Sequence, residues 1–172
     1  MKISGPIVIT GFMGCGKTEV ARALAARLGV VFIDLDAEIL KKQGRTAAEL
    51  IVEDGEPVFR IVETNTLREL LQDNRASVIA LGGGAWITGE NRELISQHNG
   101  VSVWLDTPFA VCWQRIEISS EDRPLGRTRE QAASLFQLRQ PVYRLAMIRL
   151  PVMAHEHLDN IVKRLEDELA KL

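Results

Sequence analysis

Several absences narrow the function of this chain before any motif is read. Only two cysteines occur, Cys15 and Cys112, too few for a disulfide framework, so a reducing cytosol is the expected compartment. No apolar run approaches the ~20 residues that a membrane-spanning helix needs. The first residues, Met1-Lys2-Ile3-Ser4-Gly5-Pro6, lead into a short apolar strand without the apolar core and small-residue cleavage site of a secretory leader. A formal net charge of -2 and the lack of any Lys/Arg-rich run exclude broad attraction to nucleic acid or to an anionic membrane, and neither is expected as a partner. Repeats, low-complexity tracts and linkers are missing too. A chain of 172 residues, 46% hydrophobic, suits a single domain spanning residues 1–172; a monomer is the expectation.

The charge that is present is chemically uneven. Between Lys42 and Lys163 all of the Lys/Arg side chains are arginine, and seven of these lie in residues 115–149. The planar guanidinium fork suits carboxylates and phosphates better than the point charge of lysine. Cys112, among apolar neighbours, reads as core filler.

Five runs rich in β-branched residues predict strands over residues 7–10, 30–34, 77–81, 101–105 and 148–152, each followed by a helical pattern. After the first, Val20, Ala21, Leu24, Ala25 and Leu28 recur at helical spacing, and Gly29 supplies a stop. Thr107-Pro108 reads as an N-cap with proline at the first helical position, and Thr128 to Gln131 as a capping box. Apolar strands alternating with helices predict a three-layer α/β/α sandwich around a five-stranded parallel sheet covered on both faces. Ligands of such sheets sit at the carboxyl ends of the strands. That directs attention to residues 11–18, Asp34-Leu35-Asp36, Gly82-Gly83-Gly84 and Asp106. Two segments read as mobile, the stretch around Gly82 and the polar residues 117–128.

Gly11-Phe12-Met13-Gly14-Cys15-Gly16-Lys17-Thr18 is a complete Walker A phosphate-binding loop between a strand and a helix. Its glycines let backbone N–H groups of Gly14, Cys15 and Gly16 close around phosphate oxygens at a helix N-terminus. Lys17 reaches the β- and γ-phosphates, and Thr18 places its hydroxyl on Mg²⁺. The donor this predicts is a nucleoside triphosphate. Asp34 and Asp36 leave the second strand at alternate positions and face one side if the extended backbone persists. One would then serve magnesium, and the other the attacking hydroxyl; alternatively Asp36 is an N-cap for a helix starting near Ala37.

Arg60 and Glu63, three apart on one helix face, can pair. Gly82-Gly83-Gly84 offers bare backbone for close ligand approach, or is simply a flexible turn. Arg123-Pro124-Leu125, in the segment read as mobile, suits a lid that closes over the triphosphate. In Arg139-Gln140-Pro141-Val142-Tyr143 the proline predicts a helix break.

In this order and spacing the Walker loop, Asp-x-Asp, Gly-Glu-x-x-Phe-Arg-x-x-Glu, triple glycine, Arg-Pro-Leu and Arg-x-Pro-x-Tyr resemble shikimate kinase over nearly the whole chain. The resemblance implies a P-loop fold like that of nucleoside monophosphate kinases, with a shikimate-binding subdomain near residues 36–63 and a lid near 116–128. It implies transfer of phosphate from ATP, with Mg²⁺, to the 3-hydroxyl of shikimate on the chorismate route to aromatic amino acids. Asp36 matches the candidate general base and contact to the shikimate hydroxyls, and Asp34 with Thr18 the magnesium side. Arg60 and Arg139 match the pair that grips the shikimate carboxylate, Glu63 an acid that orients Arg60, and Gly82, Gly83 and Gly84 the platform beside the ring. Arg123 matches a lid arginine that joins Lys17 and Asp36 in catalysis. Arg115 matches a cation stacked on adenine, and Glu19 completes the nucleotide-binding set.

The chain departs from that family at four places. Ile51 stands where an aromatic is usual, the stretch from Arg123 to Arg139 is short, and Gly126 replaces a second leucine after Arg-Pro-Leu. The usual adenine loop is replaced by Val152-Met153-Ala154-His155-Glu156-His157, whose two histidines read as exposed loop rather than as a metal pair. Rival readings are a kinase for another small hydroxy acid such as gluconate, and a regulatory module that binds nucleotide without catalysis. Retention of Asp36, Arg60, Arg123 and Arg139 argues against the second.

Overall fold

A computed structural model of the chain describes residues 5–73, 77–119 and 122–172. In chain order the elements are β1 (Ile7–Thr10), α1 (Lys17–Leu28), β2 (Val31–Asp34), α2 (Leu35–Gln43), α3 (Ala47–Asp54), α4 (Glu56–Gln72), β3 (Ser77–Ala80), a 3₁₀ turn (Ala85–Ile87), α5 (Gly89–Gln97), β4 (Val101–Asp106), α6 (Phe109–Ile118), α7 (Arg129–Tyr143), β5 (Ile148–Pro151) and α8 (Leu158–Leu169). The five strands form one parallel sheet in the order β2-β3-β1-β4-β5. From β1 the chain goes outward on one side to β2 and β3, then crosses to β4 and β5 on the other. The crevice at that reversal, beyond the carboxyl end of β1, is where such sheets bind ligands.

The continuous apolar pattern holds for the three inner strands. All residues of β1 and β3 are buried, as are those of β4 up to its last residue. The edge strands differ from expectation: β2 is half exposed and β5 alternates buried with exposed, because each has a neighbour on one side only. Arginines shelter aromatic rings at these edges. Arg22 lies 5.0 Å from the ring centre of Phe32, and Arg149 lies 5.3 Å from that of Trp104.

Helix ends explain much of the local chain path. Gly29 closes α1 in the left-handed conformation at φ 66°, and Thr128 with Gln131 forms the expected capping box of α7. A second box, Thr46 with Glu49, starts α3 and went unread in the sequence. Two boundaries shift. Pro108, not Thr107, occupies the N-cap position of α6, and the Thr107 hydroxyl instead donates to the Cys15 carbonyl at 3.3 Å. Pro141 does not break its helix, for α7 continues to Tyr143. Tertiary bonds hold that last turn: Trp86 Nε1 donates to the Val142 carbonyl at 3.0 Å, and the Tyr143 hydroxyl to the Gly83 carbonyl at 2.6 Å.

Helix α1 packs on β2 and β3 and against α8, with Leu24 fully buried. Among the described residues no helix is long and apolar enough to cross a membrane. Truncating Leu24 to alanine is expected to cost about 2–5 kcal/mol through lost transfer energy and a residual cavity. Urea denaturation checks this: the midpoint should fall while the slope stays constant.

Candidate active site

The loop between β1 and α1 wraps the N-terminus of α1. Gly16, immediately before the helix, holds φ 99°, a conformation that a side chain would strain. The first N–H groups of α1 lack intrahelical partners and, with the helix dipole, favour an anion in front of them. Lys17 Nζ lies across the loop, donating to the Phe12 carbonyl at 2.9 Å. Burial pushes the Cys15 thiol up, and that of Cys112 up to about 12, so neither is a thiolate nucleophile.

Asp34 carries two tasks at once. Its Oδ1 accepts from the backbone N–H of Asp36 at 3.1 Å and of Ala37 at 3.2 Å, which makes it the N-cap of α2. Its Oδ2 accepts from the Thr18 hydroxyl at 2.9 Å. The alternative in which Asp36 is the cap is thereby corrected, as is the extended backbone through both acids, because the helix already begins at Leu35. Asp36 is the second residue of α2, and it still shares a cleft with Asp34.

That cleft, of about 630 Å³, is floored by the phosphate loop and contains Thr18, Glu19, Arg115 and Arg123. Arg115 comes from α6 and donates to the Gly14 carbonyl at 3.2 Å. The far wall includes Glu156, Leu158 and Ile161. Glu156 braces the atypical loop: its Oε2 accepts from Met153 N at 3.1 Å and from Arg164 Nη2 at 3.0 Å. His155 and His157 are exposed, and no group of three or more His, Cys, Asp or Glu able to hold a metal occurs among the described residues. The hydroxyl of Thr18 beside the carboxylate of Asp34 is nevertheless a hard oxygen pair. It fits Mg²⁺, which takes few protein ligands and keeps water and phosphate as the rest.

A smaller pocket of about 130 Å³ opens beside the cleft, and the two share Met13, Asp36, Gly83 and Arg123. Ala47, Ala48, Ile51 and Phe59 form its apolar wall, while Arg60, Glu63 and Arg139 supply its charge. Arg60 comes from α4 and Arg139 from α7, so two helices far apart in sequence deliver two guanidinium groups to one small volume. Arg139 is nearly buried and donates to the Gly83 carbonyl at 3.1 Å.

The triple glycine is a fitted surface. A Cβ on Gly84 would lie 2.2 Å from Arg60 Nη2, and one on Gly82 would lie 2.9 Å from Asp36 Oδ1 and 3.2 Å from Glu63 Oε1. Glu63 is completely buried and pairs with Arg60 Nη1 at 2.8 Å. Burial pushes its carboxyl up to about 7; Arg60 and Arg139 oppose that shift and Asp36 adds to it.

The segment bearing Arg123 turns back at Gly126, whose N–H donates to the Arg123 carbonyl at 2.9 Å. A Cβ on Gly126 would meet Met13 Cε at 2.5 Å, so the methionine of the phosphate loop fills the space that a second leucine side chain would need. Of the lid expected over residues 116–128, residues 120 and 121 lie outside those described.

Three contributors escaped the sequence reading. Glu56 grips Arg60 through Nε at 3.2 Å and Nη2 at 2.9 Å, a partner that four-residue helical spacing could have suggested. Met13 and Glu156 gave no local signal. Asp106, singled out by its place at a strand end, is instead held by Arg149 Nε at 2.8 Å.

Comparison with known proteins agrees with this geometry. The family model described as shikimate kinase matches residues 13–170. A shikimate kinase of Ruegeria pomeroyi is 43% identical over 140 residues, covering 80% of this chain and 70% of that protein. The solved structure of shikimate kinase from Acinetobacter baumannii in complex with shikimate superposes with a TM-score of 0.85 at 35% identity, covering 97% of this chain and 94% of that one. A gluconokinase from Sinorhizobium meliloti shares the fold alone, with a TM-score of 0.65 at 21% identity over 99% of this chain and 98% of that one. With the phosphate loop, the shared Asp36 and the paired arginines in one site, the chain belongs to the shikimate kinase family.

Proposed function

We propose that this chain transfers the γ-phosphoryl group of ATP to the 3-hydroxyl of shikimate, giving shikimate 3-phosphate and ADP. One observation carries the reading: the phosphate-loop cleft and the arginine-lined pocket meet at Asp36, so a donor and an acceptor bound in them would adjoin there. The roles proposed are those the family resemblance implies, and the chemistry of the residues suits them. Arg60 and Arg139 hold the acceptor carboxylate, for which two guanidinium forks are suited. Gly82, Gly83 and Gly84 leave room for the ring, and Glu63 holds Arg60 in place. Asp36 accepts the hydrogen bond of the attacking hydroxyl and, as transfer proceeds, its proton. Lys17 and Arg123 stabilise charge on the transferring group. Gly14, Cys15 and Gly16 bind phosphate through their backbone, while Glu19 and Arg115 line the nucleotide side.

Thr18 and Asp34 would hold Mg²⁺, which when bound neutralises charge between the β- and γ-phosphates. We assign residues 1–172 to one domain, with the acceptor subdomain near 36–63 and the lid near 116–128, working as a cytosolic monomer. The small net charge and the small-molecule scale of both pockets support a small acceptor over nucleic acid or membrane.

A coupled assay of ADP release should show turnover that requires both Mg²⁺ and shikimate, with quinate and gluconate far poorer. Absence of turnover with shikimate by folded protein would refute the proposal. In the same assay Asp36→Asn is expected to lower kcat by about two to four orders of magnitude while nucleotide affinity, read by calorimetry, holds. Equal loss of both would make Asp36 structural. Gly84→Ala should push Arg60 out of place and raise the shikimate KM by more than about tenfold, the worth of one charge-assisted hydrogen bond. Its KM for ATP should stay within about twofold, since the donor cleft is untouched.

A further inference from the structure

Arg60 is paired with two acids before any acceptor arrives. Its Nε and Nη2 donate to Glu56 Oε1 and its Nη1 to Glu63 Oε2. The two acids differ in their surroundings. Glu56 is 43% exposed and keeps its water, whereas Glu63 is 0% exposed. The second oxygen of Glu63, Oε1, has no hydrogen-bond partner among the described residues. An ionised carboxylate oxygen enclosed without a donor is costly. Around the same missing side chain of Gly82 it also lies close to a second acid, Asp36.

The charged groups around Glu63 come from three helices: Arg60 and its second partner Glu56 from α4, Asp36 from α2 and Arg139 from α7, and Arg123 also lines the pocket. An acceptor carboxylate that pairs with Arg60 and Arg139 draws on the positive charge that keeps Glu63 ionised. It also adds a third negative charge beside the buried Glu63 and the exposed Asp36.

We propose that Glu63 is a positioning residue that takes a proton from solvent when the acceptor carboxylate binds, so that capture on Arg60 and Arg139 is coupled to neutralisation of this buried acid. The inference rests on the reading of the small pocket as the acceptor site and deepens it. The proton adds to Oε1, the oxygen without a partner, and no other bond changes. Oε2 continues to accept from Arg60 Nη1, so the guanidinium keeps its orientation while its charge becomes available to the acceptor.

The sign of the pH effect follows from linkage. In the empty pocket burial pushes the Glu63 carboxyl up to about 7, and an adjacent anion favours its protonated form and raises it further. Acceptor binding is therefore tightest below about pH 7 and weakens as pH rises above it, by at most about tenfold per pH unit.

The test is calorimetry of shikimate added to the full chain at pH 7.5, in PIPES and in Tris, whose ionisation heats differ. The expected result is a binding heat that depends on the buffer in the sense of proton uptake, of at most one proton. The shikimate KM should rise with pH above about 7 more steeply than kcat changes. Glu63→Gln, neutral and still offering an oxygen to Arg60, should abolish the buffer dependence and flatten the KM profile near the low-pH value of the parent. Buffer-independent heat in the parent, proton release, or a Glu63→Gln KM raised by one factor at every pH would overturn the proposal. The parent measurement decides even if the variant fails to fold. Neither heat nor turnover with shikimate would instead refute the acceptor reading, and this inference with it.

Discussion

The site is assembled around the carboxylate of Asp34. One of its oxygens starts α2 by capping it, and the other holds the hydroxyl of Thr18 in the first turn of α1. The two helices that supply the donor and acceptor halves are thus registered through a single side chain at the end of β2. Asp36 owes its place to this cap, since it is the second residue of a helix whose first turn Asp34 fixes. A cap of this kind contributes about 1 kcal/mol to a helix. Here its larger effect is geometric, because a shift of α2 would move Asp36 relative to the phosphate loop.

The second constraint is shape. Small residues let charged groups approach the backbone where larger ones would exclude them. Arg60 rests against Gly84, and Asp36 and Glu63 converge beside Gly82. The Gly83 carbonyl receives both Arg139 and Tyr143. Tyr143 stacks near Trp104 with ring centres 6.1 Å apart, so the acceptor-side arginine is anchored indirectly to the inner strand β4. The triple glycine is consequently a pinned surface and not a loose turn.

Features carried by short stretches were legible in the sequence. The Walker loop needs only eight consecutive residues and a strand and helix on either side. The Arg60–Glu63 pair needs only helical periodicity, and the inner strands needed only unbroken apolar runs. What failed to show was set by partners distant in the chain. The division of labour between Asp34 and Asp36 turned on where α2 begins, one residue before the second acid. Pro141 stays inside α7 because Trp86 and Gly83, more than fifty residues earlier, hold the helix end. The fit of the glycines became readable only through the atoms that an added Cβ would strike.

Met13 and Gly126 occupy one space between them. The phosphate loop lends a thioether to the turn that carries Arg123, and the turn gives up its side chain to receive it. A side chain at 126 would require the Met13 methyl, the free end of a flexible chain, to move aside, so substitutions at the two positions are expected not to add independently. The glycine after Arg-Pro-Leu thus opens the turn to a methyl group that comes from 113 positions earlier, inside the loop that cradles phosphate.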